Sequence, residues 1–372
     1  MSAAQLHILM GGMSKGTGGK ETYIIGMTRE LVKLGARIDF ITPDLPMAYE
    51  DEATDLGCRV FRIPQRSASP LGLRKAIADI YIRESFDVIW SHKTTLSSTE
   101  DLSLARKRGI PIRIVHSHCT QNMGNQFTAI MHALHKRTIG RIVTHRFACS
   151  EEAGRYFYPG GLSFSIKKNA FDLDAYLPNQ QVRDAYRRQL GIEGAFVVGH
   201  VGRFSPEKNH AKLLQVFSEV VQRKPQAVLV LCGDGETKAE TQQLADELGL
   251  SKRVRFLGSR DDVPSILQAM DAFVFPSIHE GLPFALLEAQ AVGIPCVMST
   301  GIPPEAVYGA NVDRLPNDLA DTHWADRVLE LAEMARVSSI PAMRDDGLDI
   351  HRESANLYDE LCRLYHASRG VR

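Results

Sequence analysis

FVFPSIHEGLPFALLEAQAVGIPCVMS, residues 273–299, is the stretch whose reading decides the fold. The apolar run at residues 272–275 has the length of a buried strand and stops at Pro276. Pro283 then opens a helix that Gly293 ends, and the apolar residues after Gly293 begin the next strand. Strand, loop, helix, strand is the unit of an open parallel sheet, whose ligand crevice lies beyond the carboxyl ends of the strands. His279, Glu280, Gly281 and Leu282 fall at that rim. The helix behind them offers unpaired N–H groups to a phosphate. Glu280 lies in the loop and Glu288 inside the helix, so one acid can reach a polar ligand group while the other supports it from the side. The plainer alternative makes Glu280 an electrostatic cap and Glu288 a solvated helical residue. The surrounding ALLEAQA is too apolar for an exposed face and weighs against it.

The same alternation of short apolar runs and longer amphipathic segments extends through both halves of the chain. Strands are expected at residues 6–10, 37–42, 59–63, 88–91, 112–116 and 146–149, then at 197–201, 227–232, 254–257, 272–275 and 295–298. The fold class is therefore α/β, with a Rossmann-like sheet in each half. A chain of 372 residues exceeds what one core usually holds, so two domains are expected. The polar, strand-poor region that begins at Asn169 sets the boundary, giving domains at 1–168 and 169–350. A terminal helix at 351–372, striped by Leu357, Leu361 and Leu364, packs back on the first domain.

Forty-four basic residues balance forty-four acidic ones, which leaves no bulk field to attract nucleic acid or an anionic membrane. The six cysteines show no CxxC pair or metal-finger spacing and suggest a reducing cytosol. No run reaches the roughly 20 apolar residues that span a bilayer, so a cytoplasmic protein is expected.

Two further motifs occupy strand ends. GGMSKGTGGKE, residues 11–21, follows the first strand and precedes a helix, where a phosphate loop belongs. It fits neither GxGxxG, which would need glycine at Glu21, nor a Walker loop. Its glycines, among them Gly12, Gly18 and Gly19, still permit close approach of a ligand; a flexible turn without one is the alternative. VVGHVGRFSPEKNH opens the second half, and there Arg203 and Lys208 flank a turn carrying Pro206. Two cations converging at a strand end suit a pyrophosphate, the arginine forking onto oxygens and the lysine supplying a mobile point charge.

GRFSPEKN, CGDGE, FLGSRDDV and EGLPFALLE, in that order and spacing, resemble the nucleotide-sugar domain of family-4 retaining glycosyltransferases, most closely the branch making bacterial exopolysaccharide, capsule and related surface glycans. The resemblance runs through most of the second half. It implies a GT-B fold, two facing Rossmann-like domains with a cleft between them, and a UDP-sugar donor, with GDP left open. It implies that Glu288 holds the donor ribose and Glu280 the hydroxyls of the transferred sugar, helped by backbone amides in the stretch Gly281, Leu282, Pro283 and Phe284, where the proline itself has no N–H to give. Arg203 and Lys208 neutralise the diphosphate, with Gly202 beside them. Gly258, Ser259 and Arg260 touch the base, and Gly233, Asp234 and Gly235 line the same pocket. His118 contacts the transferred sugar, while His116, within a strand, is structural. Arg155, Tyr156 and Lys168, near the link between the domains, are further candidates for the anion site.

Cleaving a sugar–phosphate bond leaves a cationic sugar and an anionic nucleotide. Fixed cations and helix N–H groups at the departing oxygen can do the work of a metal. No metal or other cofactor is therefore expected, nor, with attack on the face of departure, a protein nucleophile. Asp261-Asp262, the nearest acidic pair, is read as a helix start. The acceptor is expected to be a glycan or a lipid-linked saccharide. Residues 129–146 mix Ile130, Met131, Leu134 and Ile139 with seven basic or histidine side chains, among them His132, His135, Lys136, Arg137, Arg141 and Arg146. They read either as a helix resting on anionic headgroups at the inner membrane face, or as a core helix with a solvated basic side. Two other functions share the fold: a nucleotide-sugar epimerase and a non-catalytic nucleotide-sugar-binding subunit. The pairing of EGLPFALLE with GRFSPEKN favours the transferase, and the presence of the glycine loop and His118 weighs against the binding subunit.

Overall fold

The computed structural model describes residues 5–16, 18–43, 46–121 and 124–370. They divide into two units, Met1–Asp172 with Gly347–Arg372, and Leu173–Asp346. In the first unit the strands are β1 (His7–Gly11), β2 (Arg37–Thr42), β3 (Val60–Arg62), β4 (Val88–Lys93), β5 (Ile112–Ser117), β6 (His145–Ala148) and β7 (Ser165–Ile166). The helices between them are α1 (Gly19–Lys33), α2 (Glu50–Asp55), α3 (Pro70–Arg83), α4 (Glu100–Lys107), α5 (Gln126–Lys136), α6 (Ile139–Ile142) and α7 (Glu151–Phe157). The sheet is parallel, in the order β3-β2-β1-β4-β5-β6-β7. Its apolar strands are covered on both faces, as parallel strands require. Leu9, Ile77, Ile89, Val115 and Phe157 are among the residues of one such buried layer.

The second unit repeats this plan with α8 (Gln180–Leu190), β8 (Phe196–Val201), α9 (His210–Arg223), β9 (Ala227–Cys232), α10 (Lys238–Glu247), β10 (Val254–Phe256), α11 (Val263–Gln268), β11 (Ala272–Phe275), α12 (Phe284–Val292), β12 (Cys296–Ser299), β13 (Val312–Leu315), α13 (Asp321–Ala332) and α14 (Ile340–Asp345). Its parallel sheet runs β10-β9-β8-β11-β12-β13. Strand order therefore reverses between β1 and β4 in one unit and between β8 and β11 in the other. A doubly wound sheet opens its ligand crevice at such a reversal.

Every expected strand is present, with ends shifted by at most two residues, the usual uncertainty of strand ends. β7 and β13 escape the sequence reading because both are edge strands without an apolar run: Ser165 and Ile166 are exposed and Val312–Leu315 is only half-buried. The unit boundary falls after Asp172 rather than at 168. The intervening residues stay with the first unit because Phe171 N–H donates to the Leu348 carbonyl and Ile350 N–H donates back to Phe171. Helix α15 (Ile350–Ser368) lies against α1, where Gly26 approaches so closely that a Cβ would sit 2.6 Å from Ile350 Cδ1, and His351 pairs with Glu30 at 2.9 Å.

Residues 129–146 do not form the single basic helix expected. The chain breaks into α5 and α6 and then enters β6. His132 is buried and accepts from Leu96 N–H through Nδ1, Lys136 donates to the carbonyls of Arg155 and Tyr156, and Arg146 donates to Ser163. His132, His135, Lys136 and Arg146 thus each bond to backbone groups of the protein itself. Among the described residues no helix is long and apolar enough to cross a membrane.

Candidate active site

In the second unit, the loops beyond the carboxyl ends of β8, β9 and β10 are drawn together by glycines, and the loop after β11 joins them through Ile278 N–H, which donates to the Glu207 carbonyl. Gly202 N–H donates to Cys232 and Gly233 N–H to Gly258. Gly233 has φ +141° and a Cβ there would lie 1.9 Å from the Gly202 carbonyl oxygen; Gly235, at φ +156°, would meet Phe204 O at 2.2 Å. CGDGE thus needs its glycines to let the β9 loop rest on the β8 loop. Asp234, between them, accepts from Gly235 N–H and pairs with Lys238. Gly281 is different: its φ is not left-handed and nothing lies within 4 Å of where a Cβ would stand.

On this platform Lys208 and Glu280 meet, Nζ to Oε1 at 2.6 Å, with the ammonium 4.7 Å from the Phe275 ring centroid. The lysine comes from the single 3₁₀ turn Pro206–Lys208 after β8 and the carboxylate from the loop after β11, so the pair bridges the topological reversal. Arg203 and Lys208, expected to converge, are held by different carboxylates: Arg203 is exposed and pairs with Glu236 at 3.0 Å. Arg260, also exposed, forks onto Asp262, the N-cap of α11, which accepts in addition from Tyr186. Ser259 beside it is exposed.

Pro283 is the N-cap of α12 and Gly293, in the left-handed region, ends it, as the sequence implies. Glu288 lies in the second turn. It is half-buried, and its Oε1 accepts from the Tyr176 hydroxyl at 2.7 Å. Burial pushes its carboxyl up to about 7 while the tyrosine opposes the rise. Tyr176 was not legible as a site residue, since its partner is 112 positions away. Beside the Lys208 turn, His200 donates from Nδ1 to Val274 O, and neither ring nitrogen of buried His210, which stacks on Phe204, has a hydrogen-bond partner among the described residues.

In the first unit the glycine loop follows β1 at the other reversal; Thr17, within it, lies outside the described residues. Gly12 has φ +104° and its Cβ would fall 1.9 Å from the His92 carbonyl oxygen, so this glycine lets β1 turn against the end of β4. Gly18 is the N-cap of α1 and Gly19 its first residue. Glu21, where GxGxxG would have glycine, is buried; it accepts from Ser14 at 2.6 Å and pairs with Lys20, which also donates to Gly12 O.

His92, His116 and His118 gather at the ends of β4 and β5. His118 Nδ1 lies 3.0 Å from Asn169 Oδ1, an acceptor, so Nδ1 carries the proton. Its Nε2 is then the acceptor for His92 Nδ1–H at 2.9 Å. His116 is wholly buried in β5 and donates from Nε2 to the Lys167 carbonyl. Burial lowers all three values, His116 to about 3, so the cluster is neutral. The ring nitrogens lie within 4.8 Å of one another, a spacing that could hold a metal ion, yet both of those on His118 are already in hydrogen bonds. Arg155 pairs with Glu151 and Tyr156 stacks on His132 at 4.4 Å, which commits both to the α5–α7 region.

Two doubly wound parallel sheets, each with its polar cluster at the strand-order reversal, define the GT-B class of fold. HepE from Anabaena, crystallised with UDP and glucose, shares it with a TM-score of 0.73 at 20% identity, over 96% of this chain and 99% of that one. Residues 17–160 match the family described as Glycosyltransferase Family 4, and residues 182–332 the one described as Glycosyl transferases group 1. The chain is 33% identical over 343 residues to the putative glycosyltransferase EpsF of Bacillus subtilis, spanning 89% of this chain and 88% of that protein. It is 28% identical to the UDP-Gal:alpha-D-GlcNAc-diphosphoundecaprenol alpha-1,3-galactosyltransferase of Escherichia coli over 66% of this chain and 67% of that one. The chain belongs to the family-4, group-1 glycosyltransferases.

Proposed function

We propose that this glycosyltransferase moves a hexosyl group from a UDP-sugar to a glycan or lipid-linked saccharide in bacterial surface-polysaccharide synthesis, with retention of configuration and without a metal. The observation that carries the reading is the Lys208–Glu280 pair at the β8/β11 reversal. A cation and a carboxylate set side by side suit the two ends of one bond: Lys208 faces the diphosphate, and Glu280 accepts from the hydroxyls of the sugar. The sugar–oxygen bond breaks with its electron pair leaving on the phosphate oxygen. The acceptor hydroxyl attacks the anomeric carbon from the same face and passes its proton to that departing oxygen. Lys208, Arg203 and the N–H groups near Gly281 stabilise the charge left there, the role a metal has in other transferases. The open space at Gly281 supports close approach of the donor backbone-on. His118, kept neutral and oriented by Asn169, is the residue of the first unit proposed for a role in transfer.

The named relatives support the finer choices. HepE was crystallised with UDP and glucose, and the Escherichia coli enzyme is named for a UDP-sugar and a diphosphoundecaprenol acceptor. A lipid-linked acceptor would bring the enzyme to a membrane surface, and α5 turns Phe127, Ile130 and Leu134 outward on one face, at half exposure or more. Calorimetric titration with UDP, GDP and ADP, with and without chelator, tests the reading. Binding of UDP that is indifferent to chelator and lost in Lys208→Ala is expected. Binding that needs a divalent ion would refute the metal-free mechanism.

A further inference from the structure

The chain enters the second unit through one 3₁₀ turn, Leu173–Tyr176, which packs on α12. Tyr176 is 8% exposed, so its ring is part of the wall behind that helix. Its hydroxyl donates to Glu288 Oε1, and among the described residues no other hydrogen bond reaches this carboxylate. Oε2 has no hydrogen-bond partner among the described residues. A glutamate has three rotatable side-chain bonds, and a carboxylate meant to accept from a ligand loses affinity if it must be ordered when the ligand arrives. Here the ordering precedes the ligand, because one oxygen is anchored by a nearly buried phenol.

We propose that Tyr176 is a positioning residue for nucleotide recognition: by holding Oε1 of Glu288 it presents Oε2 to the ribose hydroxyls, so that preference for a ribonucleoside diphosphate depends on this tyrosine. The proposal rests on the reading of Glu288 as the ribose carboxylate. Two features of the contact support it. The bond is short and runs from a neutral donor to an ionisable acceptor, which strengthens it when Glu288 is charged. The same hydroxyl opposes the effect of burial on Glu288 and so favours the acceptor form of the carboxylate. Tyr176 touches no reacting atom; it acts through Glu288.

The test is a ligand cycle on the full chain: UDP and 2′,3′-dideoxy-UDP titrated into wild type, Tyr176→Phe and Glu288→Gln. Wild type is expected to prefer UDP by tenfold or more. In Tyr176→Phe the preference is expected to shrink severalfold, while affinity for dideoxy-UDP, which lacks the hydroxyls, is unchanged. The phenylalanine keeps the ring in the wall, and the dideoxy nucleotide reports whether the pocket is intact. An unchanged preference, or an equal loss for both nucleotides, would overturn the positioning role and make Tyr176 a packing residue. If wild type fails to bind UDP or to distinguish the two nucleotides, or if Glu288→Gln keeps the full preference, the ribose reading of Glu288 falls, and the proposal with it.

Discussion

Replacing Glu288 with glutamine separates what this carboxylate does for binding from what it does to the fold. Burial lifts it from an ordinary 4.5 to about 7. Below about pH 4.5 it is protonated in both folded and unfolded chains. Between about 4.5 and 7 the unfolded chain ionises first, so the folded state loses ground, and above about 7 the loss is complete. Two and a half decades of proton affinity, at about 1.4 kcal/mol each, come to about 3 kcal/mol. Glu288→Gln removes the titration while keeping the shape and an oxygen for Tyr176. The stability of the variant relative to wild type should therefore climb by about 3 kcal/mol from near pH 4.5 to near pH 8, whatever constant offset the amide introduces. The two tryptophans, Trp90 and Trp324, are both fully buried and lie in different units. A Trp90→Phe background leaves Trp324 fluorescence as the reporter of the second unit during urea unfolding. A stability difference that stays flat over this pH window refutes the desolvation of Glu288. Binding should move the other way: the variant gains stability at high pH yet takes up UDP more weakly. At about pH 6, UDP should expel a proton from wild type that the variant does not release.

Lys208→Ala should weaken UDP binding by tenfold or more, because it removes a charged partner of the diphosphate, worth about 1.5–3 kcal/mol, and leaves Glu280 facing it; unaltered affinity by calorimetry would remove Lys208 from the site. Gly12→Ala should destabilise the first unit by at least about 2 kcal/mol, since the left-handed backbone and the His92 carbonyl both exclude a Cβ; Trp90 fluorescence in a Trp324→Phe background reads it, and a wild-type unfolding midpoint would contradict the packing. Asn169→Ala should slow transfer severalfold with UDP affinity unchanged, because His118 loses the acceptor that fixes its proton on Nδ1; a matching fall in UDP affinity would point to a folding defect instead. Replacing Phe127, Ile130 and Leu134 together by serine should abolish co-sedimentation with anionic vesicles without changing UDP binding, and retained sedimentation would place any membrane contact elsewhere.

What the sequence makes legible is what contiguous residues carry. The run at residues 272–275, Pro283 and Gly293 delimit β11 and α12 because a strand's apolar length, a proline at a helix start and a glycine at its end each act within a few positions. The glycines of CGDGE and Gly12 are legible as glycines beside a ligand, whereas what the structure shows is that Gly12, Gly233 and Gly235 let the protein's own loops pack on one another. What is lost is the partner in space. That Lys208 would meet Glu280, 72 positions away, could be inferred only by setting both on loops at one strand-order reversal. Arg203, read from the same motif, pairs instead with Glu236 on the next loop, a partner 33 positions away that the motif does not contain. The basic segment 129–146 misleads for a related reason: helical charge counts do not reveal that His132 and Lys136 are spent on the protein's own backbone.

The same distinction explains why the groups that position others went unseen. Tyr176 reaches Glu288 across 112 residues, and Asn169 and His92 reach His118 across 51 and 26. None of the three lies in a motif, and each acts through a single hydrogen bond. Motif residues are contiguous and can be read from their spacing, whereas a positioning group needs only to reach one side chain from wherever the fold brings the backbone near. Asn169 and Tyr176 both sit on the strand-poor stretch between the two units, the part of the chain that composition marks only as a boundary. One end of that stretch orients a histidine in the first unit and the other a carboxylate in the second. The connecting segment is thus hydrogen-bonded into both polar clusters, and a substitution there can disturb either one without touching a motif.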